Sequence, residues 1–454
     1  MDFPDAFISQ IRSSLSKSAD SFFKSLQSPP VTSIRLNVDK VRFPVAFPER
    51  VLWCQQGAYL DSRPVFTLDP LFNVGAYYVQ EASSMFLGYA FSLLVDVSSN
   101  PIVLDLCAAP GGKSTHLATS LSGHGLLVAN EVIGQRVAPL RENLTKWGFG
   151  NVVITNSDPS CFGNLRGLFD AICVDAPCSG EGMFRKDSQA VHEWSSDNVA
   201  MCQARQRQIL SSVFSSLKEN GLLFYSTCTY NRLEDEDNVD WICKELGAEL
   251  VPVNFDLSWG ITDSGSGYHF YPHKTRGEGF FLAVLRKSVP SLPVHFKSGK
   301  FSLKHIKSPE AINSWLQNPE SFDFYMREEK IVAIQSCHGP LLEWLQQNVK
   351  VVQSGVAVCS VKGKDLLPSP ALALSISLNK KGFSVVDVDW GTAMSFLRRE
   401  TFNLPDSPKG WLLITFRDFP LGWVKNIGNR INNAYPAEWH VRIPADKSLY
   451  TPLF

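Results

Sequence analysis

The chain has 454 residues, of which 44% are hydrophobic and 19% are charged, and its formal net charge is −1. This length predicts two or three domains, and the composition is typical of a globular protein that can bury several cores. The sequence lacks both a basic start followed by an apolar segment and a run of about 18 apolar residues, which argues against a secretory signal and a membrane span. We therefore predict a cytoplasmic protein that makes no membrane contact.

The first half of the chain predicts an open α/β sheet. Residues 1–30 are expected to be helical, and the prolines of SPP end that helix before a strand at TSIRLNV. From residue 102 onward, apolar runs alternate with helical segments in units of about 30 residues, which favours a doubly wound parallel sheet. The longest predicted helix covers residues 197–220 and ends at Gly221. The predicted strands are IVLDLC, LLVANE, NVVITNSD, DAICVDAP, LLFYSTC and GFFLAVLRK.

The pattern changes after Lys287. The stretch SVPSLPVHF, residues 288–296, predicts a linker, and short strand-like runs such as GVAVCSV, GFSVVDV and WLLITF follow it. A helix is predicted around TAMSFLRRE. We therefore divide the chain into an α+β element at 1–70, an α/β domain at 71–288, a linker or accessory segment at 289–350 and a β-rich domain at 351–454.

The stretch VLDLCAAPGGKSTH, residues 103–116, joins a strand to a helix through a glycine turn. Ligands of open α/β sheets bind beyond the carboxyl ends of the strands, and Gly111 and Gly112 would let the backbone approach a ligand closely. A phosphate loop is excluded because its first glycine would have to stand at Cys107. The alternative is a plain structural turn.

Acidic residues follow the next two strands. Glu131 stands about 20 positions after the glycine turn, where a carboxylate can accept hydrogen bonds from both ribose hydroxyls of a nucleoside cofactor. Asp158 ends the third strand and could meet an adenine amino group. Together with the glycine turn, this spacing predicts an adenosine pocket, whereas Glu131 alone could be a solvated helix start.

Ten cysteines are scattered along the chain, and none belongs to a C-x-x-C pair, so we predict no metal site. Most are expected to be buried small hydrophobic residues of a reducing compartment. Cys178 and Cys228 differ from the others because each follows the end of a predicted strand, in DAPCSGEG and in YSTCT. The pattern places two thiols at one edge of the sheet.

These motifs carry a family resemblance. DAPCSGEG, YSTCT and LDLCAAPGGKSTH, together with SIRLNV, YYVQEASSM and YPHKTRGEGFF, occur in the order found in RNA 5-methylcytosine methyltransferases that use S-adenosylmethionine. The chain is similar to that family over roughly residues 31–287. The resemblance implies a Rossmann-like S-adenosylmethionine-dependent methyltransferase domain at 71–288.

The resemblance also implies a role for each thiol. Cytosine carbon 5 is a poor nucleophile until a thiolate adds to carbon 6, which is covalent catalysis, and an acid must neutralise the charge that develops on the ring. By the family pattern, Cys228 is the nucleophile and Cys178 assists product release. Asp175 would contact the cytosine edge, as an acid or an acceptor, near the methionine end of the cofactor.

Cofactor contacts are assigned in the same way. Glu131 would hold the ribose, Asp158 the adenine, and Asp175 would lie beside the methionine end. Arg136 matches a family arginine, although a salt bridge on a helix face is an equally good interpretation. The backbone that would cradle S-adenosylmethionine consists of Cys107, Ala108, Ala109, Pro110, Gly111, Gly112 and Lys113.

Three further features bear on the resemblance. DNA cytosine methyltransferases use the cysteine of the P-C motif and lack the T-C thiol, so the presence of Cys228 favours an RNA substrate. Many family members have E-N-E where this chain has Glu234-Asp235-Glu236. His273 in YPHK could be a base, but a structural histidine is the preferred interpretation.

The C-terminal region has a net charge of +5 over residues 289–454, against −7 for 71–288 and +1 for 1–70. Its stretch FRDFPLGWVKNIGNRINNAYPAEWHVRI resembles the PUA-like extension of bacterial small-subunit ribosomal RNA methyltransferases. The resemblance implies an RNA-binding domain, to which the 1–70 element would add a second RNA contact. The expected RNA contacts are Arg417, Lys425 and Arg430 for phosphates and Phe419 and Trp423 for stacking.

The predicted function is therefore methylation of cytosine carbon 5 in small-subunit ribosomal RNA by a monomer. A transfer-RNA methylase is the alternative within the same chemistry. A non-catalytic ribosome-assembly factor that binds RNA is the alternative from another class, although such a factor would need neither thiol.

Overall fold

The computed structural model describes residues 3–291 and 304–454. The predicted linker at 288–296 lies largely outside the described residues. Within them, no helix combines the length and the apolar character that crossing a bilayer requires.

The N-terminal part pairs two helices with a small antiparallel sheet. The helices α1 (Asp5–Leu15) and α2 (Ala19–Leu26) replace the single helix predicted for residues 1–30, because the chain turns at Ser16, whose φ is 46°. The sheet has the strand order β2-β3-β1-β4. Its strands are β1 (Thr32–Leu36), β2 (Arg50–Val51), β3 (Cys54–Leu60) and β4 (Tyr77–Tyr78), with helix α3 (Pro70–Asn73) between the last two.

The central sheet is the predicted doubly wound sheet. Five parallel strands form its middle in the order β7-β6-β5-β8-β9, so the strand order reverses between β5 and β8. These strands are β5 (Ile102–Asp105), β6 (Leu126–Asn130), β7 (Val152–Thr155), β8 (Phe169–Asp175) and β9 (Leu217–Thr227). Ligands of such sheets bind at the carboxyl ends of the strands beside this reversal.

Helices cover both faces of the central sheet, whose strands are buried as the uninterrupted apolar runs indicated. They are α4 (Phe86–Leu94), α5 (Gly112–Leu121), α6 (Gly134–Trp147), α7 (Pro159–Phe162), α8 (Ser188–Glu193), α9 (Ser196–Val213) and α10 (Glu236–Trp241). The prediction that the long helix continues to residue 220 is wrong. Strand β9 already begins at Leu217, which is fully buried and pairs with Phe169 of β8.

Antiparallel strands extend the sheet at both edges. On one side lie β10 (Ala248–Leu250), β11 (Thr262–Asp263), β12 (Tyr268–Phe270) and β13 (Phe280–Lys287), with β13 paired to β9. On the other side, β17 (Val351–Ser354) pairs with β7. A strand from the far side of the predicted linker therefore completes the central sheet.

Two further sheets follow in the C-terminal half. The first has the order β14-β15-β16-β18-β19 and the second the order β20-β21-β22-β23. The strands of the first are β14 (Lys304–Ile306), β15 (Phe322–Arg327), β16 (Lys330–Gln335), β18 (Val356–Lys362) and β19 (Asp365–Pro368). Those of the second are β20 (Ser384–Asp387), β21 (Gly410–Phe416), β22 (Phe419–Asn426) and β23 (Ile431–Asn433). The accompanying helices are α11 (Glu310–Asn313), α12 (Gly339–Asn348), α13 (Pro370–Leu374) and α14 (Trp390–Leu397).

Candidate active site

The two cysteines singled out in the sequence meet at the carboxyl edge of the central sheet. Strands β8 and β9 are parallel neighbours, so the loops that follow Asp175 and Thr227 lie side by side. The sulfur of Cys178 lies 3.1 Å from the sulfur of Cys228, and both are free, half-buried thiols. The structure thus brings together two thiols that are 50 residues apart in the chain.

Hydrogen bonds lock these two loops to each other. The backbone N–H of Gly182 donates to the carbonyl of Cys228 at 2.8 Å, and the N–H of Cys228 donates to the sulfur of Cys178 at 3.3 Å. The buried carboxylate of Glu181 accepts the N–H of Tyr230 at 2.9 Å. Both thiols are therefore held on a rigid double loop.

Asp175 stands beside the sulfur pair as half of an ion pair. Its Oδ2 lies 2.7 Å from Nζ of Lys113, and its Oδ1 accepts a hydrogen bond from Ser226 at 2.9 Å. Burial opposes the charge on Lys113, but the Asp175 carboxylate outweighs it and raises the pKa of the ammonium. The pair offers an acceptor and a proton donor next to Cys228.

The glycine turn lies between β5 and α5, where the sequence places it. Gly111 has a φ of 114°, in the region that favours glycine, and the following residue begins α5. The guanidinium of Arg136 donates to the carbonyl of Ala109 at 2.8 Å and lies 3.5 Å from Glu131. Arg136 thus ties the turn to the acidic end of β6 through an ion pair with Glu131, which lies before α6 and not on its face.

The two acidic residues predicted for the adenosine pocket line one cavity of about 570 Å³. Glu131 is buried and accepts the N–H of Ile133 at 2.8 Å. Asp158 is exposed, and its Oδ1 accepts the hydroxyl of Ser160 at 2.6 Å and caps α7 by accepting the N–H of Ser160 at 2.9 Å. These two contacts, the hydroxyl first, lower the pKa of its carboxyl group. We call this space the acidic cavity.

A second cavity of about 500 Å³ opens on the other side of the cysteines. We call it the outer cavity. It is lined by parts of the N-terminal element, by Lys113 and by residues 278–280. Residues shared by both cavities are Cys107, Ala109, Asp175 and Cys228. Two ligands could therefore occupy adjoining spaces that meet at the Cys228 sulfur.

One wall of the acidic cavity is formed by a helix face that was not among the predicted site residues. Helix α9 contributes Arg205, Gln208, Ile209 and Ser212 to its lining. These positions recur every three or four residues, so they share one face of the helix. That spacing was visible in the sequence, but nothing local to α9 indicated that this face would turn toward the sheet edge.

Other predicted residues lie elsewhere. His273 lines neither cavity and packs against Phe22 at a ring distance of 5.8 Å, in line with its structural interpretation. The stacking roles predicted for Trp423 and Phe419 are wrong. Trp423 is fully buried and donates its indole N–H to the carbonyl of Ser369 at 2.8 Å, and Phe419 is only 8% exposed. Both rings complete the C-terminal core.

Asp235, Glu236 and His269 form a compact cluster behind the end of β9. A ring nitrogen of His269 is hydrogen-bonded to Glu236 at 2.8 Å, and Thr227 donates to Asp235 at 2.5 Å. Through these contacts the cluster supports the end of β9 at Thr227, the residue just before Cys228.

Comparisons with known proteins match most of the chain. The family described as 16S rRNA methyltransferase RsmB/F matches residues 92–286, the N-terminal domain of 16S rRNA methyltransferase RsmF matches 3–82, and the methyltransferase RsmF PUA domain matches 383–441. Ribosomal RNA small subunit methyltransferase F of Salmonella paratyphi A is 33% identical, with 96% of both chains covered. The homologous protein of Klebsiella pneumoniae is 31% identical over the same shares.

The chain belongs to the RsmF family of methyltransferases. This confirms the family resemblance, the Rossmann-like methyltransferase fold with its PUA-like extension, and S-adenosylmethionine as the cofactor.

Solved structures share the fold. A methyltransferase homologue from Pyrococcus horikoshii has a TM-score of 0.54 and 27% identity, covering 63% of this chain and 95% of that one. The structure of NSun6 from Pyrococcus horikoshii with SFG has a TM-score of 0.53 and 22% identity, covering 63% and 99%. These solved structures therefore share the fold of 63% of this chain, and the likeness does not extend over the rest of it.

The acidic cavity fits S-adenosylmethionine. Its volume lies within the range of roughly 300–1,000 Å³ that is usual for cofactor pockets. The carboxylates of Glu131 and Asp158 are the acceptors that ribose hydroxyls and an adenine amino group need, and Val132 and Ile133 add half-exposed apolar surface. The donor and acceptor set of the cavity thus matches the polar edges of the cofactor.

Proposed function

We propose that this RsmF-family chain methylates carbon 5 of cytosine in small-subunit ribosomal RNA through a covalent adduct between Cys228 and cytosine carbon 6. The observation that carries the proposal is the position of Cys228, a residue that lines both cavities and whose sulfur lies 3.1 Å from that of Cys178. The proposed chemistry needs a thiolate, a neighbouring acid and two adjoining ligand spaces.

We assign the steps of the reaction to residues of this chain as follows. The Cys228 thiolate adds to carbon 6, which makes carbon 5 nucleophilic. The Lys113–Asp175 pair holds the polar edge of the ring and supplies a proton to the charge that develops there. After methylation, a water molecule takes the carbon-5 proton, and the electrons of that C–H bond restore the double bond between carbons 5 and 6. The sulfur–carbon bond breaks with its electron pair returning to Cys228, and the ring gives back the proton that it took from the Lys113–Asp175 pair. Cys178 assists this release from 3.1 Å away.

Binding of the cofactor is assigned to the acidic cavity. Glu131 would hold the ribose, Asp158 the adenine, Asp175 would lie beside the methionine end, and Arg136 would hold Glu131 and the glycine turn in place. The backbone from Cys107 through Lys113 would form the cradle. When bound, S-adenosylmethionine supplies an electrophilic methyl group.

The target is proposed from the family. The relatives named above are small-subunit ribosomal RNA methyltransferases, and a match to the RsmF PUA domain covers residues 383–441. We propose an N-terminal RNA-binding element at 1–70, a catalytic domain at 71–288, an accessory segment at 289–350 and a PUA-like domain at 351–454. A monomer in the cytoplasm would leave both cavities open to a large ribosomal substrate.

The experiment that tests the proposal replaces the nucleophile. Cys228→Ala should lower methyl transfer to small-subunit ribosomal RNA by at least about 10³-fold, because it removes the thiolate to which the proposal assigns the carbon-6 bond. Methylation is measured with radiolabelled S-adenosylmethionine, bisulfite sequencing reports the modified base, and calorimetry with sinefungin checks the cofactor site.

Cys202→Ala is the matched control. Cys202 is another half-buried thiol, on α9, and it lines neither cavity, so this variant should keep its activity. Normal methylation by Cys228→Ala, or methylation at an atom other than carbon 5, would refute the proposal.

A further inference from the structure

Two thiols at the same site raise the question of which sulfur carries the proton before the reaction. We infer that the buried Glu234 carboxylate contributes to this choice by disfavouring the thiolate form of Cys178, an inference that rests on the proposed roles of the two cysteines. It concerns the resting enzyme, in which no bond to the substrate has yet formed. Cys178 then donates its S–H to the Cys228 sulfur across the 3.1 Å contact.

Glu234 is fully buried, and its side chain is hydrogen-bonded to three N–H groups and to the hydroxyl of Ser179. The backbone N–H of Ser179 donates at 3.0 Å, and the side-chain amides of Gln206 and Asn231 each donate at 2.7 Å. N–H groups donate to both oxygens of the carboxylate, a pattern that favours its ionised form.

The charge on Glu234 is not cancelled by an ion pair. Within residues 3–291 and 304–454, no lysine, arginine or histidine nitrogen lies within 4.0 Å of its carboxylate. Burial raises the pKa of Glu234, and the four hydrogen bonds oppose that shift. Because Ser179 directly follows Cys178, the negative charge acts on that cysteine through a poorly screened interior.

The surroundings of Cys178 disfavour its thiolate. The hydrogen bond to Cys228, burial, and the negative charges of Cys228 and Glu234 together raise the pKa of Cys178 well above its usual value. The N–H of Cys228, at 3.3 Å from the Cys178 sulfur, acts in the opposite direction and is the weakest of these influences. The net direction keeps the proton on Cys178.

The surroundings of Cys228 include a positive charge, the ammonium group of Lys113. Lys113 lines the outer cavity together with Cys228, and the negative charges of Asp175 and Cys228 raise the pKa of its ammonium against the effect of burial. The other ionisable groups around the two sulfurs, from β8, the two loops and α9, are Asp175, Glu181, Asp235, Cys202 and Arg205. Lys113 therefore faces Cys228, while Glu234 is bonded to the loop of Cys178.

Glu181 provides a matched control within the same double loop. It is also fully buried and accepts N–H donors, from Tyr230 at 2.9 Å, Trp194 at 3.0 Å and Gln10 at 3.1 Å. Its backbone contact is on the Cys228 side, so it does not bond the residue next to Cys178. Replacing Glu181 by glutamine removes a charge from the same double loop, and the amide of Asn231, which donates to Glu181 at 3.1 Å and to Glu234 at 2.7 Å, is a contact that the two carboxylates share.

The test measures alkylation of each cysteine by iodoacetamide as a function of pH, with peptide mass spectrometry as the readout and no RNA present. In the wild-type protein, Cys228 should react first, and Cys178 should reach its half-maximal rate at a higher pH. In Glu234→Gln, the profile of Cys178 should move to lower pH, with its rate at pH 7.5 rising at least about tenfold, because one pKa unit changes the thiolate fraction tenfold. In Glu181→Gln, the Cys178 profile should match the wild type.

Two results would overturn the inference. One is a Glu234→Gln profile for Cys178 that superimposes on the wild-type profile while sinefungin still binds. The other is a wild-type protein in which Cys178 reacts faster than Cys228, a comparison that needs no variant to fold. Glu234→Asp keeps the charge and should preserve slow alkylation of Cys178. Since no methylation occurs in this assay, its outcome is separate from the test of the Cys228 nucleophile.

Discussion

At the scale of single residues, burial at the sheet edge changes the pKa of the Asp105 carboxyl group. This last residue of β5 is almost fully buried, and its Oδ2 accepts a hydrogen bond from Ser114 at 2.6 Å. Its other oxygen has no partner among the described residues. Burial raises the pKa of Asp105 to about 7, so its carboxyl group exchanges a proton in the physiological range.

The pH dependence of stability follows from that shift. Because the pKa of Asp105 is higher in the folded chain than in the unfolded chain, the stability that its neutral form contributes is present at pH 4 and is lost as the pH rises through 7. Relative to Asp105→Asn, the wild type should lose up to about 4 kcal/mol of unfolding free energy between pH 4 and 8. Urea denaturation of both proteins measures this, and a constant difference across that range would contradict it.

The residues of the candidate site were largely visible in the sequence, because strand ends followed by Asp, Glu or Cys mark the carboxyl edge of a parallel sheet. Glu131, Cys178 and Cys228 were singled out in that way, whereas Asp175 was assigned from the family resemblance. The partner of Lys113 and the contacts of Glu234 could not be found, since they depend on side chains that meet only after the sheet has formed.

At the scale of elements, the missed boundary between α9 and β9 has a tertiary cause. The stretch SSLKENG has the composition of a helix end, and it follows a strongly helical segment. In the structure, Leu217 is instead pulled into the sheet beside Phe169, and the chain passes through Asn220 with a φ of 62°. Local propensity predicts a helix here, and burial against a neighbouring strand overrides it.

The N-terminal helices support the active-site loops through an aromatic cluster. Phe22 of α2 is fully buried, and its ring lies edge-on to Tyr230 at 4.9 Å, two residues after Cys228. Phe7 of α1 packs in the same cluster, 5.0 Å from Phe184. These helices therefore help to fix the loop that carries the proposed nucleophile.

Removing the central ring of that cluster should affect both stability and activity. Phe22→Ala should cost about 3–5 kcal/mol of unfolding free energy, which is the usual price of a buried phenylalanine, and should lower methylation by loosening the Cys228 loop. Denaturant unfolding and the methylation assay measure the two effects. Phe23→Ala, at a half-buried neighbour, should cost clearly less, and equal losses would contradict the assignment of Phe22.

At the scale of the whole molecule, the C-terminal half contributes a strand to the central sheet. Strand β17 pairs with β7, and Lys350 exchanges hydrogen bonds with the segment just before Asp158, through the N–H of Asn156 at 2.9 Å and the hydroxyl of Ser157 at 2.8 Å. The sequence could not predict this, because strand pairing over some 200 residues leaves no local pattern. The doubly wound parallel sheet itself, in contrast, could be predicted from the alternation of apolar runs and helical segments.

The N-terminal and C-terminal sheets also share a hydrophobic core. Its buried members include Ile34, Leu68, Tyr77, Phe396, Ile414 and Leu421. Truncation near residue 288 would expose this core and the edge of β7 together, so point variants are the better probe of RNA binding.

Three basic residues of the C-terminal domain provide that probe. Arg417 and Arg430 are exposed, and Lys425 is half-buried. Changing all three to alanine should weaken RNA binding and reduce the salt dependence of the binding constant by about 2 in slope, as expected for three lost phosphate contacts on single-stranded RNA. Affinity for sinefungin should stay unchanged.

Fluorescence anisotropy over a salt series measures this effect. Lys362→Ala combined with Lys364→Ala, at the turn between β18 and β19, removes positive charge elsewhere in the same half of the chain. An equal loss of slope in both variants would show that overall charge, and not these three positions, governs RNA binding.

The central claim is that the sulfur of Cys228 bonds to cytosine during methylation. The most direct measurement uses Cys178→Ala, in which release should fail, incubated with small-subunit ribosomal RNA and S-adenosylmethionine, then denatured, digested and analysed by mass spectrometry. We expect a stable protein–RNA adduct whose peptide carries a methylated cytosine nucleotide on Cys228. Absence of an adduct, or attachment at any other residue, would contradict the claim.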